Sequence, residues 1–368
     1  MSEFTAQDCA YMARALRLAE KGRYTAHPNP MVGCVLVNDG EVVGEGFHAK
    51  TGAEHAEVRA LRAAGDRARG ATAYVTLEPC AHHGKTPPCS EALIEAGIGK
   101  VIAAMKDPFA GDGKHGSQVL ADAGIGVDVG LMQSAATALN RGFIKRVTLQ
   151  RPWVRVKLAA SIDGAIAMAD GESQWITGAA ARADVQRLRA GAGAVMTGIG
   201  TVLADDPSLN VRAADIETGG LQPLRVVIDS RLRMPLAASM LALSGRTLIC
   251  CTGSPDAHEF EKTNAEVVSF SAHDGRVDVD AVLQELAARG INDVLVEAGP
   301  GLAGHCLERG LVDELVIYQA PSVMGSRTMR MFETPAFTSL ADRKSLTITD
   351  VRRIGGDTRI TAAIHRSE

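Results

Sequence analysis

The sequence predicts two α/β domains in series. Three observations carry that expectation. The chain has 368 residues, more than a single core usually organises. Strand-like and helix-like segments alternate along both halves. Helical periodicity stops at Arg151-Pro152, where a new strand pattern begins.

Charge and composition narrow the partners. Lys and Arg number 39 against 43 Asp and Glu, a formal net charge of −4. That balance gives no general electrostatic footprint for a polyanion, so nucleic acid is not an expected partner. No segment combines a basic flank, an apolar run and a cleavage site, and no apolar run is long enough to span a bilayer. A soluble protein away from the membrane, in the cytoplasm, is therefore expected. Cysteine usage fits a reducing compartment, where paired thiols serve as ligands rather than disulfides. Cys9, Cys34, Cys250, Cys251 and Cys306 stand singly or in apolar runs and read as inert buried thiols.

In the first half, Tyr11, Ala15, Leu18 and Ala19 recur at helical spacing and predict an amphipathic helix over 6–21. Two prolines in Thr25-Ala26-His27-Pro28-Asn29-Pro30 then forbid helix. The apolar run 31–37 reads as a strand, and Asn38-Asp39-Gly40 turns it into a second over 41–48. Asn29 either fixes the preceding turn through its side chain or presents its amide at the mouth of a site. Helices over 54–64, 89–96, 118–123 and 134–146, with strands over 70–77, 100–105 and 125–129, complete a mixed-sheet domain.

Chemistry concentrates in His55-Ala56-Glu57 and in Glu78-Pro79-Cys80-Ala81-His82-His83-Gly84-Lys85-Thr86-Pro87-Pro88-Cys89. One imidazole, two thiols and an adjacent carboxylate suit a hydrolytic zinc site, because three protein ligands leave a fourth position for water. Glu57 is then free to carry protons. The order H-x-E…P-C…C is that of zinc nucleobase deaminases, although eight residues separate the two cysteines where two are usual. Cys80 ends a strand, and Cys89 opens a helix whose unpaired N–H groups favour a thiolate. The structural alternative is a zinc knot with His82 or His83 as fourth ligand. Lys85 reads either as a phosphate contact or as a solvated lysine.

The second half alternates again. Strands are expected over 153–160, 194–197, 224–228, 246–251, 293–296 and 314–320, and helices over 179–190, 279–289 and 302–308, with 213–223 a surface loop. Three strand ends carry nucleotide-site features. Glu297-Ala298-Gly299-Pro300-Gly301-Leu302-Ala303-Gly304 leads into a helix, where glycines let backbone N–H groups approach a phosphate. Gly198-Ile199-Gly200-Thr201 repeats the arrangement, and Asp229-Ser230-Arg231 sets an arginine where a 2′-phosphate can be met. None completes a dinucleotide fingerprint, and each alone is also an ordinary connection.

Over nearly its full length the chain resembles the bifunctional riboflavin-biosynthesis enzymes. The resemblance rests on His27-Pro28-Asn29-Pro30, the zinc motif with its long loop, Lys157-Leu158-Ala159-Ala160-Ser161-Ile162-Asp163-Gly164, Gly171-Glu172-Ser173-Gln174-Trp175-Ile176-Thr177, Leu203-Ala204-Asp205-Asp206-Pro207 and Val296-Glu297-Ala298-Gly299-Pro300. It implies a cytidine-deaminase-like mixed-sheet domain over 1–150, a zinc-dependent pyrimidine deaminase. A dihydrofolate-reductase-like α/β domain over 151–368, an NADPH-dependent reductase, would follow.

The implied substrate is 2,5-diamino-6-ribosylamino-4(3H)-pyrimidinone 5′-phosphate, deaminated to a uracil whose ribose is then reduced to ribityl. His55, Cys80 and Cys89 would hold zinc and Glu57 would move the proton. Ala159, Trp175, Thr201, Asp205, Ser230, Gly299, Pro300, Gly301, Leu302, Ala303 and Gly304 would line NADPH. Ser173, Arg189, Leu209, Arg212 and Glu297 would line the substrate, with the two arginines suited to a sugar phosphate or else ordinary surface charges. Trp175 has a second reading as a core aromatic, and Lys157 and Asp163 stand as further candidates, the latter also a normal turn residue. The family often has Asp-Pro-Asn where this chain has Asp107-Pro108-Phe109, which removes any amide contact at 109. A homo-oligomer is expected. The competing readings are a nucleic-acid base deaminase with an accessory nucleotide-binding domain, and a non-catalytic zinc-stabilised nucleotide-binding module.

Overall fold

The structure, a computed structural model, describes residues 4–83, 87–109 and 115–364. Lys85 lies outside them. The chain divides into two compact units, Met1–Gln150 and Arg151–Glu368.

In the first unit, α1 (Ala6–Ala19) starts at a capping box made by Thr5 and Asp8, which satisfies two helix-end N–H groups reciprocally. The strands are β1 (Gly33–Asn38), β2 (Glu41–Phe47), β3 (Thr72–Val75), β4 (Lys100–Ala103) and β5 (Gly126–Val129), and the further helices α2 (Ala56–Ala64), α3 (Cys89–Glu95), α4 (Gly116–Asp122), α5 (Gln133–Leu139) and α6 (Arg141–Leu149). The sheet order is β2-β1-β3-β4-β5. β1 runs antiparallel to β2 and β3, while β3, β4 and β5 are parallel. Both faces are covered. Cys34, Leu36, Val75 and Val101 pack with Ala56, Ala60, Leu93 and Leu120 of α2, α3 and α4, and Val35, Tyr74 and Ile102 pack with Met12, Ala15 and Ala136 of α1 and α5.

One expected helix, 134–146, is two. Asn140 breaks it at φ −112°, and its buried amide accepts from Met31 N at 2.8 Å and donates to Met31 O at 2.9 Å. Those bonds satisfy a backbone outside the sheet ladder, at the expense of helix continuity.

The second unit contains, in order, β6 (Trp153–Ser161), β7 (Ala165–Met168), α7 (Ala179–Ala190), β8 (Ala194–Gly198), α8 (Ile199–Asp205), β9 (Leu224–Ile228), α9 (Ser239–Ala242), β10 (Thr247–Thr252), β11 (Ala265–Phe270), β12 (Ala272–His273), β13 (Arg276–Val277), α10 (Val279–Ala288), β14 (Asp293–Val296), α11 (Pro300–Glu308), β15 (Glu314–Ala320), β16 (Thr328–Arg330), β17 (Leu346–Ile354) and β18 (Asp357–Ile364). Its large sheet has the order β11-β10-β9-β8-β14-β6-β15-β18-β17. All neighbours are parallel except β18, which runs antiparallel to both β15 and β17. One face packs α10 and α11 through Val282, Leu286, Ala303 and Cys306, and the other packs α7, α8 and α9. The C-terminal hairpin β17–β18 escapes the sequence reading because β17 is exposed along most of its length and carries Asp350, Arg352 and Arg353 among its apolar residues. The legible signal was the Gly355-Gly356 turn.

Helix α2 lies unusually close to the sheet. A Cβ on Gly46 would stand 2.2 Å from the Ala56 carbonyl oxygen, so only glycine lets the helix seat there. Gly46→Ala is expected to destabilise the first unit by about 1–3 kcal/mol through overpacking. Thermal unfolding of the full chain checks this, with the second unit's transition unmoved.

Candidate active site

The three metal-ligand candidates converge at the end of β3 and the starts of two helices. His55 is the N-cap of α2, Cys80 follows the strand end and Cys89 is the first residue of α3. Their ligand atoms lie within 4.8 Å of one another. His55 Nδ1 is 3.1 Å from Cys89 Sγ and 3.6 Å from Cys80 Sγ, so one ring nitrogen faces both sulfurs. A soft imidazole–dithiolate set with three protein donors fits a catalytic zinc. His82 and His83 do not join: His82 stacks edge-on against Phe109, and His83 faces Glu91 at 3.9 Å. The structural knot is thereby set aside, since the only such group among the described residues is His55, Cys80 and Cys89.

Glu57 sits in the first turn of α2, 3% exposed. Burial, with the Cys80 sulfur beside it, pushes its carboxyl up to about 7. Hydrogen bonding to Cys89 is the main cause that brings the Cys80 thiol down to about 4, and the same contact raises Cys89. His55, Glu57 and Cys80 line a cleft of about 460 Å³ whose walls include Asn29, His48, Thr51, Asp107, Phe109, Phe143 and Arg146. Sequence reasoning missed His48. Its Nδ1 lies 3.3 Å from the Glu54 carbonyl and its Nε2 3.0 Å from Asn29 Nδ2. A carbonyl only accepts, so Nδ1 carries the proton and Nε2 accepts from the Asn29 amide. Asn29 Oδ1 is then the end of the amide left for a ligand. Glu78 is structural: it accepts from Asp107 N at 3.0 Å and Ser117 N at 2.9 Å, fastening the loop after β4.

In the second unit, Lys157 and Ala159 share one face of β6, and Glu297 follows the end of β14. Arg189, at the end of α7, gives Glu297 two bonds, Nε to Oε1 at 2.5 Å and Nη2 to Oε2 at 3.0 Å, and a third from Nη1 to Asn210 O at 3.2 Å. Lys157 Nζ is 3.8 Å from Glu297 Oε2. Burial acts to raise Glu297, but Arg189 and Lys157 outweigh it and hold the carboxyl below its ordinary value. Burial lowers Lys157. The guanidinium fork expected to meet a phosphate is thus turned onto Glu297. Arg212, nearby, keeps one nitrogen 3.3 Å from Asn210 Oδ1.

The three glycine and arginine features do meet. Gly198, Gly200, Ser230, Arg231, Gly301 and Leu302 line one cleft of about 400 Å³, and Gly299 N donates to Thr201 Oγ1 at 3.3 Å. α11 has no side-chain cap, and a Cβ on Gly200 would meet nothing within 4 Å. Open helix-end N–H groups beside bare glycines are a cradle for a pyrophosphate, and NADPH fits such donors. Gly304 has a different reason: its Cβ would stand 1.9 Å from Glu333 O. Pro300 and Ala303 lie within α11, and Asp205 ends α8, exposed. Ser173 is half-buried and Leu209 fully buried. Trp175 is no core residue. It is 67% exposed, with the Arg182 guanidinium 4.5 Å from its ring centre. Asp163 anchors a loop, accepting from Ser161 Oγ at 2.5 Å and Gly325 N at 2.9 Å.

A zinc-type centre with a buried carboxylate in one unit, and a glycine-rich cleft at strand ends in the other, have the make-up of a hydrolytic deaminase joined to a second α/β enzyme domain. The known proteins agree. Residues 5–105 match the cytidine and deoxycytidylate deaminase zinc-binding region, and residues 152–360 match the RibD C-terminal domain. The riboflavin biosynthesis protein RibD of Escherichia coli (strain K12) is 48% identical over 360 residues, covering 95% of this chain and 98% of that one. A solved RibD of Acinetobacter baumannii superposes with a TM-score of 0.91 at 44% identity, covering 98% and 99% of the two chains. A diaminohydroxyphosphoribosylaminopyrimidine deaminase/5-amino-6-(5-phosphoribosylamino)uracil reductase of Thermotoga maritima gives 0.85 at 31% identity with the same coverage. The chain belongs to the family of bifunctional RibD deaminase/reductases of riboflavin biosynthesis.

Glu297 is the only carboxylate bonded to Arg189 among the described residues. Glu297→Ala strands the buried Arg189 guanidinium and the half-buried Lys157 ammonium and is expected to lower the second unit's stability by about 3–5 kcal/mol. Urea unfolding of the full chain measures it, and Glu297→Gln should lose less.

Proposed function

We propose that the first unit deaminates 2,5-diamino-6-ribosylamino-4(3H)-pyrimidinone 5′-phosphate and that the second reduces the ribose of the product with NADPH. The observation that carries this reading is the His55, Cys80 and Cys89 cluster beside buried Glu57, with His55, Cys80 and Glu57 lining a cleft wide enough for a pyrimidine. His55, Cys80 and Cys89 would hold the zinc. When bound, zinc supplies a Lewis acid that makes water nucleophilic near neutral pH. Glu57 takes a proton from the attacking water on its carboxylate and returns it to the departing amino nitrogen, so water enters and ammonia leaves. Asn29, held by His48, offers its Oδ1 to a ring N–H donor.

In the second unit the uncapped start of α11, with Thr201 and Ser230, would hold NADPH. That cofactor supplies the hydride when bound. Arg189 fixes both oxygens of Glu297, and Lys157 and Arg212 add positive charge beside it, a setting for a polar phosphorylated substrate. A homo-oligomer is supported by Leu346, Ile348 and Val351, exposed on β17. A cytoplasmic setting is supported by the free thiols. Among the described residues no helix is long and apolar enough to cross a membrane.

A mass-spectrometric time course of the aminopyrimidine phosphate tests the reading. Ammonia loss should precede, and a gain of two hydrogens should appear only with NADPH. Glu57→Gln should keep bound zinc by metal analysis, slow ammonia release by about 10²–10⁴-fold, and still reduce deaminated substrate. Undiminished deamination in that variant would remove Glu57 from the reaction.

A further inference from the structure

The nucleotide cleft of the second unit is lined by three arginines and a histidine and by no acid. Arg231 and Arg233 follow β9, Arg276 stands on the β12–β13 hairpin, and His305 comes from the second turn of α11. No Asp or Glu is among the residues lining the cleft. Arg233 has the buried Asp229 carboxylate 4.0 Å away. Arg231 and Arg276 have no carboxylate partner among the described residues.

The hairpin is held in register with the strand end. Val277 N donates to Ser230 Oγ at 3.0 Å, and the Val277 side chain is buried in the core. Arg276 is therefore placed by its neighbour rather than left on a free loop. The Ser230 hydroxyl, accepting from Val277, still has its proton to give to a ligand.

Two guanidiniums brought to one cleft from separate elements repel each other unless an anion joins them. A planar fork suits phosphate above other anions. A site for the unphosphorylated dinucleotide instead sets a carboxylate on the ribose hydroxyls, and this cleft offers none. We propose that Arg276 is a specificity-determining residue, which together with Arg231 holds the 2′-phosphate of NADPH. Discrimination against NADH is then set by a hairpin that no sequence motif marks. This assignment rests on the reading of the second unit as NADPH-dependent.

The test is equilibrium binding to the full chain, with 2′,5′-ADP and 5′-AMP as probes beside NADPH and NADH. Wild-type protein should prefer the 2′-phosphorylated member of each pair. Arg276→Gln should weaken 2′,5′-ADP and NADPH roughly tenfold or more, the loss of one charge-assisted phosphate contact, and leave 5′-AMP and NADH unchanged. Arg276→Lys should recover part of the loss. Arg309→Gln, in the neighbouring recess that Arg276 also borders, should change nothing. If the wild type discriminates and Arg276→Gln keeps the full preference, the assignment to Arg276 falls while the NADPH reading stands. If the wild type binds both members of each pair equally, the NADPH reading falls and takes the assignment with it.

Discussion

The first unit's chemistry depends on how closely α2 can approach β2. Gly44 and Gly46 alternate along that strand, and a Cβ on either would stand within 2.3 Å of a carbonyl oxygen of α2. With no side chain between them, the helix settles directly on the sheet and its first turn ends up inside the protein. That single constraint makes His55 an N-cap facing the strand end that bears Cys80, and buries Glu57 one residue into the helix. A helix held a few ångströms further out would expose Glu57 and separate the imidazole from the thiols.

The second unit reaches its cleft by direction rather than by close approach. β6, β8, β9, β14 and β15 are parallel, so their carboxyl ends lie along one edge of the sheet. Glycines, Ser230 and Glu297 all follow such ends, which is where open α/β sheets keep their ligand crevices. β18, antiparallel to its neighbours, contributes no residue to that cleft. It lies between β15 and β17 instead and ties to α7, with Arg359 bonded to Asp184 at 2.8 Å.

What was legible in the sequence divides along the same line. Short-range chemistry could be read: the His-x-Glu spacing, the two cysteines, the glycine turns and most strands and helices, because their periodicity and turn residues are local. What escaped depends on a distant partner. Asn140 breaks a helix only because Met31 lies beside it, and nothing near 140 announces that. Arg189 was expected at a phosphate, yet Glu297, 108 positions away, takes its fork. The second reading of Trp175, as a core aromatic, fails because its ring is exposed with Arg182 over it. His48 stands alone in sequence and gains meaning only from Asn29 and Glu54. The resemblance to a family carried the residue roles further than periodicity could, and it too was silent on which arginine is already engaged.

The two buried carboxylates show why one chain can run two different reactions. Glu57 lies beside the cysteine sulfurs, and burial together with the Cys80 charge outweighs the pull of His55 and lifts it to about 7, where a carboxyl can both take and return a proton. Glu297, its side chain 10% exposed, is clamped by Arg189 with Lys157 beside it, and those cations hold it ionised. Burial acts to raise both, and the neighbours decide the outcome. A carboxylate locked as an anion with both oxygens directed is poorly suited to proton transfer and well suited to orienting a polar ligand. In the proposed reactions Glu57 is accordingly the proton carrier and Glu297 the fixed anchor. The same residue type does opposite work because the Cys80 sulfur is the main charged neighbour of Glu57, whereas a guanidinium bonds both oxygens of Glu297.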